Sequence, residues 1–393
     1  MIAAQDFFAI DTLDDPYPLY DRLRTTPVAR VADSGFHLVS TWDAVLEATA
    51  RTQDFSSNLT ATMVYRPDGT VSSFDMEGPG GGSHVLATAD EPAHALHRKP
   101  VLLQLAAKRL LALEPMIRDV FDDLWTGQDL EWMSSVADRL PMAVVAHLLG
   151  LPGSDIDDLV RRAYASTQLM DGLVGPEELA GAAVAAMELG AYLIDRFGRA
   201  TADPGDDLMG QLAITPDLDP TIAGFILVQL VAAGAESTAS LLGSAAWLLG
   251  TRPDVQRQVR DNPALLGAFI DEVLRYESPF RGHYRHVLAD CTLAGTELRA
   301  GQHLLLLWGA ANRDPRQFDS PNEFRLDRGA ARTHLGFGKG LHFCVGAALA
   351  RLEARTVLGR LLDRTTWLEA PGRPVWLPSV LVRRPARLDL KIN

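Results

Sequence analysis

Between Ile222 and Leu249 the chain is apolar on almost every face, with Glu236 as its single charged residue. A helix without a polar face has to bury itself, in the core of a large protein or in a membrane. The start, Met1 to Phe8, has neither the basic opening nor the apolar run of a signal peptide, and no other uncharged stretch reaches spanning length. The expectation is a helix running through the core of a soluble, cytoplasmic protein without a membrane anchor. The exceptions within the segment are informative: Ala233-Gly234-Ala235-Glu236-Ser237-Thr238 places a glycine, an acid and two hydroxyls mid-helix, where glycine costs roughly 1 kcal/mol against alanine. A purely structural helix would avoid that run.

Apolar residues recur at helical spacing over Ala107–Trp125, Leu140–Leu149, Ile156–Leu169 and Pro176–Ala202, and Gly150-Leu151-Pro152 marks a stop. A first helix follows Asp15-Pro16, and another opens at Asp90-Glu91-Pro92. Alternation predicts strands at Gly35–Ser40, Thr292–Leu298, His303–Leu307 and Val375–Ile392. From about Ser56 to Ala89, with Pro67, Gly69, Gly78, Pro79 and the run Gly80-Gly81-Gly82, periodicity fades, which reads as a long functional loop. The fold class expected is mainly α with small β-sheets. No linker, repeat or low-complexity tract divides the chain, so residues 1–393 are expected to form one domain, with 47% hydrophobic content to fill its core.

A formal net charge of −13 argues against nonspecific nucleic-acid binding. Two cysteines in so long a chain fit a reducing compartment, and the 10 histidines scatter too widely for a structural zinc site. Cys291 lacks ligand-like spacing and reads as inert.

Cys344 is different. It lies in Phe337-Gly338-Lys339-Gly340-Leu341-His342-Phe343-Cys344-Val345-Gly346, just before a helix-forming run. Gly338 and Gly340 permit backbone conformations that a Cβ forbids, and Gly346 removes bulk where the next helix passes something flat. Lys339, His342, the loop N–H groups and a helix N-terminus would lower the thiol pKa and favour the anion that a metal needs.

This loop resembles the haem-binding signature of the cytochrome P-450 superfamily, in particular its soluble bacterial, actinobacterial-like members. The resemblance implies a triangular helical prism around a buried haem b (iron protoporphyrin IX), with Cys344 as the metal ligand and Phe337, Gly338, His342 and Gly346 in the cofactor site. Haem carries two carboxylates that need cationic or hydrogen-bonding partners, and His94 and Arg98 at i,i+4, Arg285 and His342 are the candidates. In the superfamily an acid and an alcohol on the central helix manage protons during oxygen activation. Those roles fall on Glu236 and Ser237, with Thr238 able to share the second. Most members have Thr where this chain has Ser237, and the helix is expected to widen locally there. Glu272 and Arg275 match the Glu-x-x-Arg pair, with Arg328 as third partner; these are folding residues.

The resemblance also places Val71, Phe74 and Met76 in a lid. Phe280, Arg281 and Gly282 then line the pocket, with Arg281 as a polar anchor, and Leu230, Ala233, Val380 and Leu381 form apolar walls. Lys99, Lys108, Arg109, Arg332, Lys339, Arg351 and Arg355 would form a basic face for an acidic electron donor. The implied activity is a monooxygenase acting on a small, largely apolar molecule, fed by a ferredoxin or flavodoxin-type partner and its reductase. A non-oxygenating member (coupling or rearrangement) and a haem-thiolate ligand-binding protein are the alternatives, while Glu236-Ser237 disfavours a peroxide-driven one.

Overall fold

In the computed structural model, residues 1–77, 83–173, 175–329 and 331–393 are described. The expected loop's Gly78, Pro79 and Gly80-Gly81-Gly82 lie outside them. Asp219 begins the central helix by accepting from the backbone N–H groups of Thr221 and Ile222 at 2.8 and 3.3 Å, an N-cap that satisfies otherwise orphaned donors. The helix runs Pro220–Thr251, 32 residues, long and apolar enough to cross a membrane by length and composition. Its neighbours are protein: helices Arg139–Leu149, Ile156–Thr167, Pro176–Ala202, Leu266–Tyr276 and Ala347–Asp363 pack around it. Burying Ile226, Leu227, Val231, Leu242 and Leu248 completely stabilises the fold by roughly 1.5–3 kcal/mol each.

The local widening expected near Gly234 is not formed; the helix stays α throughout. Gly234 answers a packing need, since a Cβ there would stand 2.8 Å from Val145 Cγ2 on helix Arg139–Leu149. The helices expected from spacing appear within two residues of their expected ends, including Ala107–Leu124 and Pro176–Ala202.

The largest sheet has five strands in the order Val28–Arg30, Phe36–Val39, His303–Leu306, His283–Val287, Phe55–Ser56, with one parallel pair, Phe36–Val39 beside His303–Leu306. Its register sets Arg285 opposite Leu304 and His283 opposite Leu306. Expected strand segments Thr292–Leu298 and Val375–Ile392 resolve into short antiparallel pairs. The stretch read as a loop departs from expectation. Ala61–Tyr65 and Val71–Asp75 form an antiparallel hairpin, and Pro67 and Gly69 are its turn, with Gly69 at φ 84°. Turn composition had masked two short strands.

Glu272, Arg275 and Arg328 form a buried network. Arg275 donates from Nε and Nη2 to the two carboxylate oxygens of Glu272 at 2.8 and 2.7 Å, and Arg328 Nε donates to Glu272 Oε1 at 3.2 Å. Arg275 also donates to the carbonyls of Asn312, Pro321 and Glu323. Asn312 in turn accepts at Oδ1 from Leu335 N–H at 2.7 Å, two residues before Phe337. A fully buried guanidinium thus fixes the entry of the cysteine loop.

Candidate active site

Cys344 N–H donates to Phe337 O at 2.9 Å and closes the loop. Gly338 and Gly340 have φ of 69° and 74°, left-handed backbone that a side chain would strain. Helix Ala347–Asp363 starts directly after, with Gly346 as its cap. Burial pushes the Cys344 thiol up, while backbone N–H groups of Gly346 and Ala347 and the charges of Arg98 and Arg351 oppose it. The expected net lowering is thus reversed: desolvation outweighs the cations and dipoles.

Beside the thiol lies a cavity of about 240 Å³. Phe337, Gly338, Lys339, His342, Cys344, Gly346, Arg98 and Arg285 all reach its wall. Arg98 Nη2 donates to Phe343 O at 2.6 Å, tying helix Ala93–Gln104 to the loop. Arg285 is buried with one acceptor among the described residues, its neighbour's carbonyl, and burial pulls it down to about 10. Among the described residues His342 has no hydrogen-bond partner at either buried ring nitrogen. His94 does not reach the wall. It stands behind His342, ring centroids 4.4 Å apart, with its Nε2 unpartnered and Nδ1 3.2 Å from Glu91.

The opposite wall is one stripe of the central helix, Gln229, Leu230, Ala233, Gly234, Ser237, Thr238 and Leu241. Ser237 Oγ donates to Ala233 O at 2.7 Å. Glu236 is not on the wall. It accepts from Thr167 Oγ1 at 2.8 Å and from Arg384 Nε at 3.3 Å, and burial raises its pKa despite the arginine. Arg384 also donates to Asp138, which burial pushes up to about 6.

Several expected pocket residues face elsewhere. Phe280 is on the wall, but Arg281 is buried against the carbonyls of Leu13 and Val382, and Gly282 packs on Leu306. Successive residues of an extended segment point to opposite sides, so only one of the pair can face the cavity. Val380 and Leu381 belong to an apolar cluster with the N-terminal helices, not to the wall. Val71, Phe74 and Met76 are also off the wall; from that region Leu86 and Ala87 supply it. Of the expected basic face, Lys99, Lys108, Arg332, Lys339 and Arg355 are exposed, and Arg109 pairs with Asp206. Arg351 is withdrawn, pairing with Asp271 and lying over the Phe337 ring.

The Cytochrome P450 family model matches residues 225–392. Cytochrome P450 144 of Mycobacterium tuberculosis is 58% identical over 99% of this chain and 92% of its own length. The cytochrome P450 monooxygenase PikC of Streptomyces venezuelae is 32% identical over 96% of this chain and 90% of its own. The chain belongs to the cytochrome P450 family. The structure of cytochrome P450 CREJ in complex with (4-ethylphenyl) dihydrogen phosphate superposes with a TM-score of 0.88 at 26% identity, covering 97% of this chain and 98% of that one. This P450 is accordingly a haem-thiolate monooxygenase in kind, with the helical prism and small sheets of its family.

The residues of this P450 fit the cofactor. The unpartnered nitrogens of His342 and the under-used Arg285 guanidinium are polar groups awaiting partners, as a pair of buried carboxylates requires. Gly346 lies against the thiol, where an added Cβ would make van der Waals contact with Cys344 Sγ at 3.9 Å. Two groups on the same wall escaped sequence reasoning. Trp308 Nε1 donates to His283 Nδ1 at 2.7 Å, so the neutral imidazole, open to the cavity with its pKa pulled by desolvation to about 4, carries its proton on Nε2. Glu353 on helix Ala347–Asp363 is buried with Oε2 unpartnered among the described residues, and burial raises it well above the usual carboxylate range. An acid enclosed by apolar neighbours in a helix, Leu352-Glu353-Ala354, was the available signal for the second. The first needed the strand register.

Proposed function

We propose that this P450 binds haem b through Cys344 and hydroxylates a small, largely apolar molecule. The observation that carries the proposal is one cavity with the Cys344 thiol on one wall and the Ser237 and Thr238 hydroxyls on another. Arg98, Arg285, His342 and the Trp308-oriented His283 would hold the haem carboxylates, with His94 supporting His342 from behind. When bound, haem would supply the oxygen-activating and electron-accepting chemistry, tuned by the Cys344 thiolate.

The chain's own residues supply shape, dryness and protons. Leu86, Val145, Leu148, Leu230, Ala233 and Phe280 exclude water and hold an apolar substrate. Ser237, whose proton points to Ala233 O, presents its lone pairs to the cavity and orders a water there; Thr238 offers a second hydroxyl. Glu236 stands one position away as a buried proton reservoir, held by Thr167 and Arg384 and communicating with Asp138 through the arginine. Exposed Lys99, Lys108, Lys339 and Arg355 receive an acidic ferredoxin or flavodoxin-type donor. Residues 86 to 353 contribute to one cavity, which supports the whole chain acting as a single domain.

The test is turnover of the haem-loaded protein with a ferredoxin, its reductase and isotopically labelled dioxygen. One labelled oxygen atom in the product is expected. A product that carries none, formed at full rate, would instead favour the coupling or rearranging alternative.

A further inference from the structure

Gln229 lies on the same stripe of the central helix as Ala233 and Ser237, at spacings of four residues, and its side chain is on the cavity wall. Ala87 N–H donates to the Gln229 amide at 2.8 Å. An amide NH2 cannot accept from an N–H, so the atom facing Ala87 is the oxygen, and the orientation of the amide follows from chemistry. The Nε2 group, with two donors, meets no protein acceptor among the described residues. The backbone that fixes it is itself constrained: Leu86 has φ 44°, an uncommon conformation for a leucine, and its N–H donates to His97 Nδ1 at 3.3 Å. A strained, tethered turn thus holds the half-buried Gln229 amide on the cavity wall, with its pair of hydrogen-bond donors beside the apolar side chains of Leu86, Ala87, Val145, Leu148 and Leu230.

We propose that Gln229 is a specificity residue that selects substrates carrying a neutral hydrogen-bond acceptor, a carbonyl above all, on an apolar skeleton. This rests on the reading of the cavity as the substrate site. A charged carboxylate is disfavoured, because a buried anion needs a cation, and the wall's Arg98, Arg285 and Lys339 belong to the cysteine side. Gln229 and Ser237 are eight residues apart, so the acceptor and the oxidised position are separated by about 12 Å along the helix, less the reach of the side chains. The substrate skeleton is therefore on the order of a nanometre long, and its oxidised end is the one remote from the carbonyl.

The experiment measures ligand affinity of the haem-loaded protein by ferric spin-state shift, backed by displacement of a bound azole, across polycyclic ketones and their parent hydrocarbons. Wild type is expected to bind the better ketones roughly three- to tenfold more tightly than the matching hydrocarbons, the worth of one net hydrogen bond. Gln229→Leu should abolish that ratio. Gln229→Glu, measured at a pH where its carboxyl is ionised, keeps an acceptor for Ala87 N–H but loses the donors, so it should also lose the ketone preference even if Gln229→Leu folds poorly. A ketone preference absent in wild type, or intact in both variants, overturns the proposal. Failure of the underlying haem reading shows up differently, as a protein with no thiolate-type haem spectrum before any ligand is added.

Discussion

Ser237 makes one hydrogen bond as donor, to Ala233 O, and that bond replaces the methyl of a threonine as the constraint on its rotamer. Ser237→Ala removes the hydroxyl without touching the cysteine side. Haem content should be unchanged, while peroxide released per reduced nicotinamide consumed rises about tenfold or more. Unchanged coupling with a true substrate would take Ser237 out of the mechanism. Glu272→Ala strands the buried Arg275 charge, a loss of roughly 3–5 kcal/mol, and should yield protein that does not retain haem. A fully loaded variant with wild-type melting temperature contradicts that role. That Cys344, Arg98 and Arg285 share one cavity was legible in the sequence, Cys344 from its loop motif, Arg98 from its i,i+4 spacing to His94 and Arg285 from its place in the family resemblance. Arg384 was not, since it meets Glu236 across 148 residues, nor was Trp308, whose contact with His283 depends on strand register. Arg281 was misplaced because its neighbour Phe280 takes the cavity side.

At the scale of elements, the central helix was legible from hydropathy alone, since nothing but burial suits a segment with one charge in 28 residues from Ile222 to Leu249. The role of its glycine was not. Gly234 lets helix Arg139–Leu149 approach, with Val145 Cγ2 in the space a Cβ would need. Gly234→Ala gains about 1 kcal/mol of helix propensity but forces a stiff β-branched neighbour to move, at a cost of about 1–3 kcal/mol. Gly198→Ala, in helix Pro176–Ala202 with nothing within 4 Å of the new methyl, has only the gain. Urea unfolding should therefore show Gly198→Ala stabilised and Gly234→Ala at best unchanged. A Gly234→Ala protein as stabilised as Gly198→Ala would disprove the close contact. The hairpin Ala61–Tyr65 with Val71–Asp75 was illegible for a different reason: Ala61, Thr62 and Met63 are buried in succession, on both faces of their strand, so alternation is missing there, and the turn residues Pro67 and Gly69 made the stretch read as loop.

Over the whole molecule, the N-terminal Tyr17 donates to Glu277, which also accepts from Arg383 near the C-terminus, so both ends close on the core. The five-stranded sheet adds a pH dependence. Burial pulls His37 to about 4, with Arg30 adding to the effect. A folded pKa below the unfolded value of about 6.5 means that stability is present above 6.5 and lost as pH falls toward 4, because the unfolded chain binds the proton first. Asp138 and Asp171, each raised to about 6, act in the opposite sense, losing their contribution as pH rises from about 4 to 6. The variant isolates the histidine: His37→Asn should gain stability relative to wild type as pH falls from 6.5 to 4, measured by unfolding midpoint. A constant difference across that range contradicts the assignment.

The central claim is that Cys344 delivers a thiolate to haem. The reduced, carbon monoxide-bound protein tests it most directly. Wild type should show the strongly red-shifted Soret band of thiolate ligation, and Cys344→His should fold, bind haem and lose that band. Correctly folded wild-type protein that binds no haem, or that gives an imidazole-type spectrum, would contradict the account.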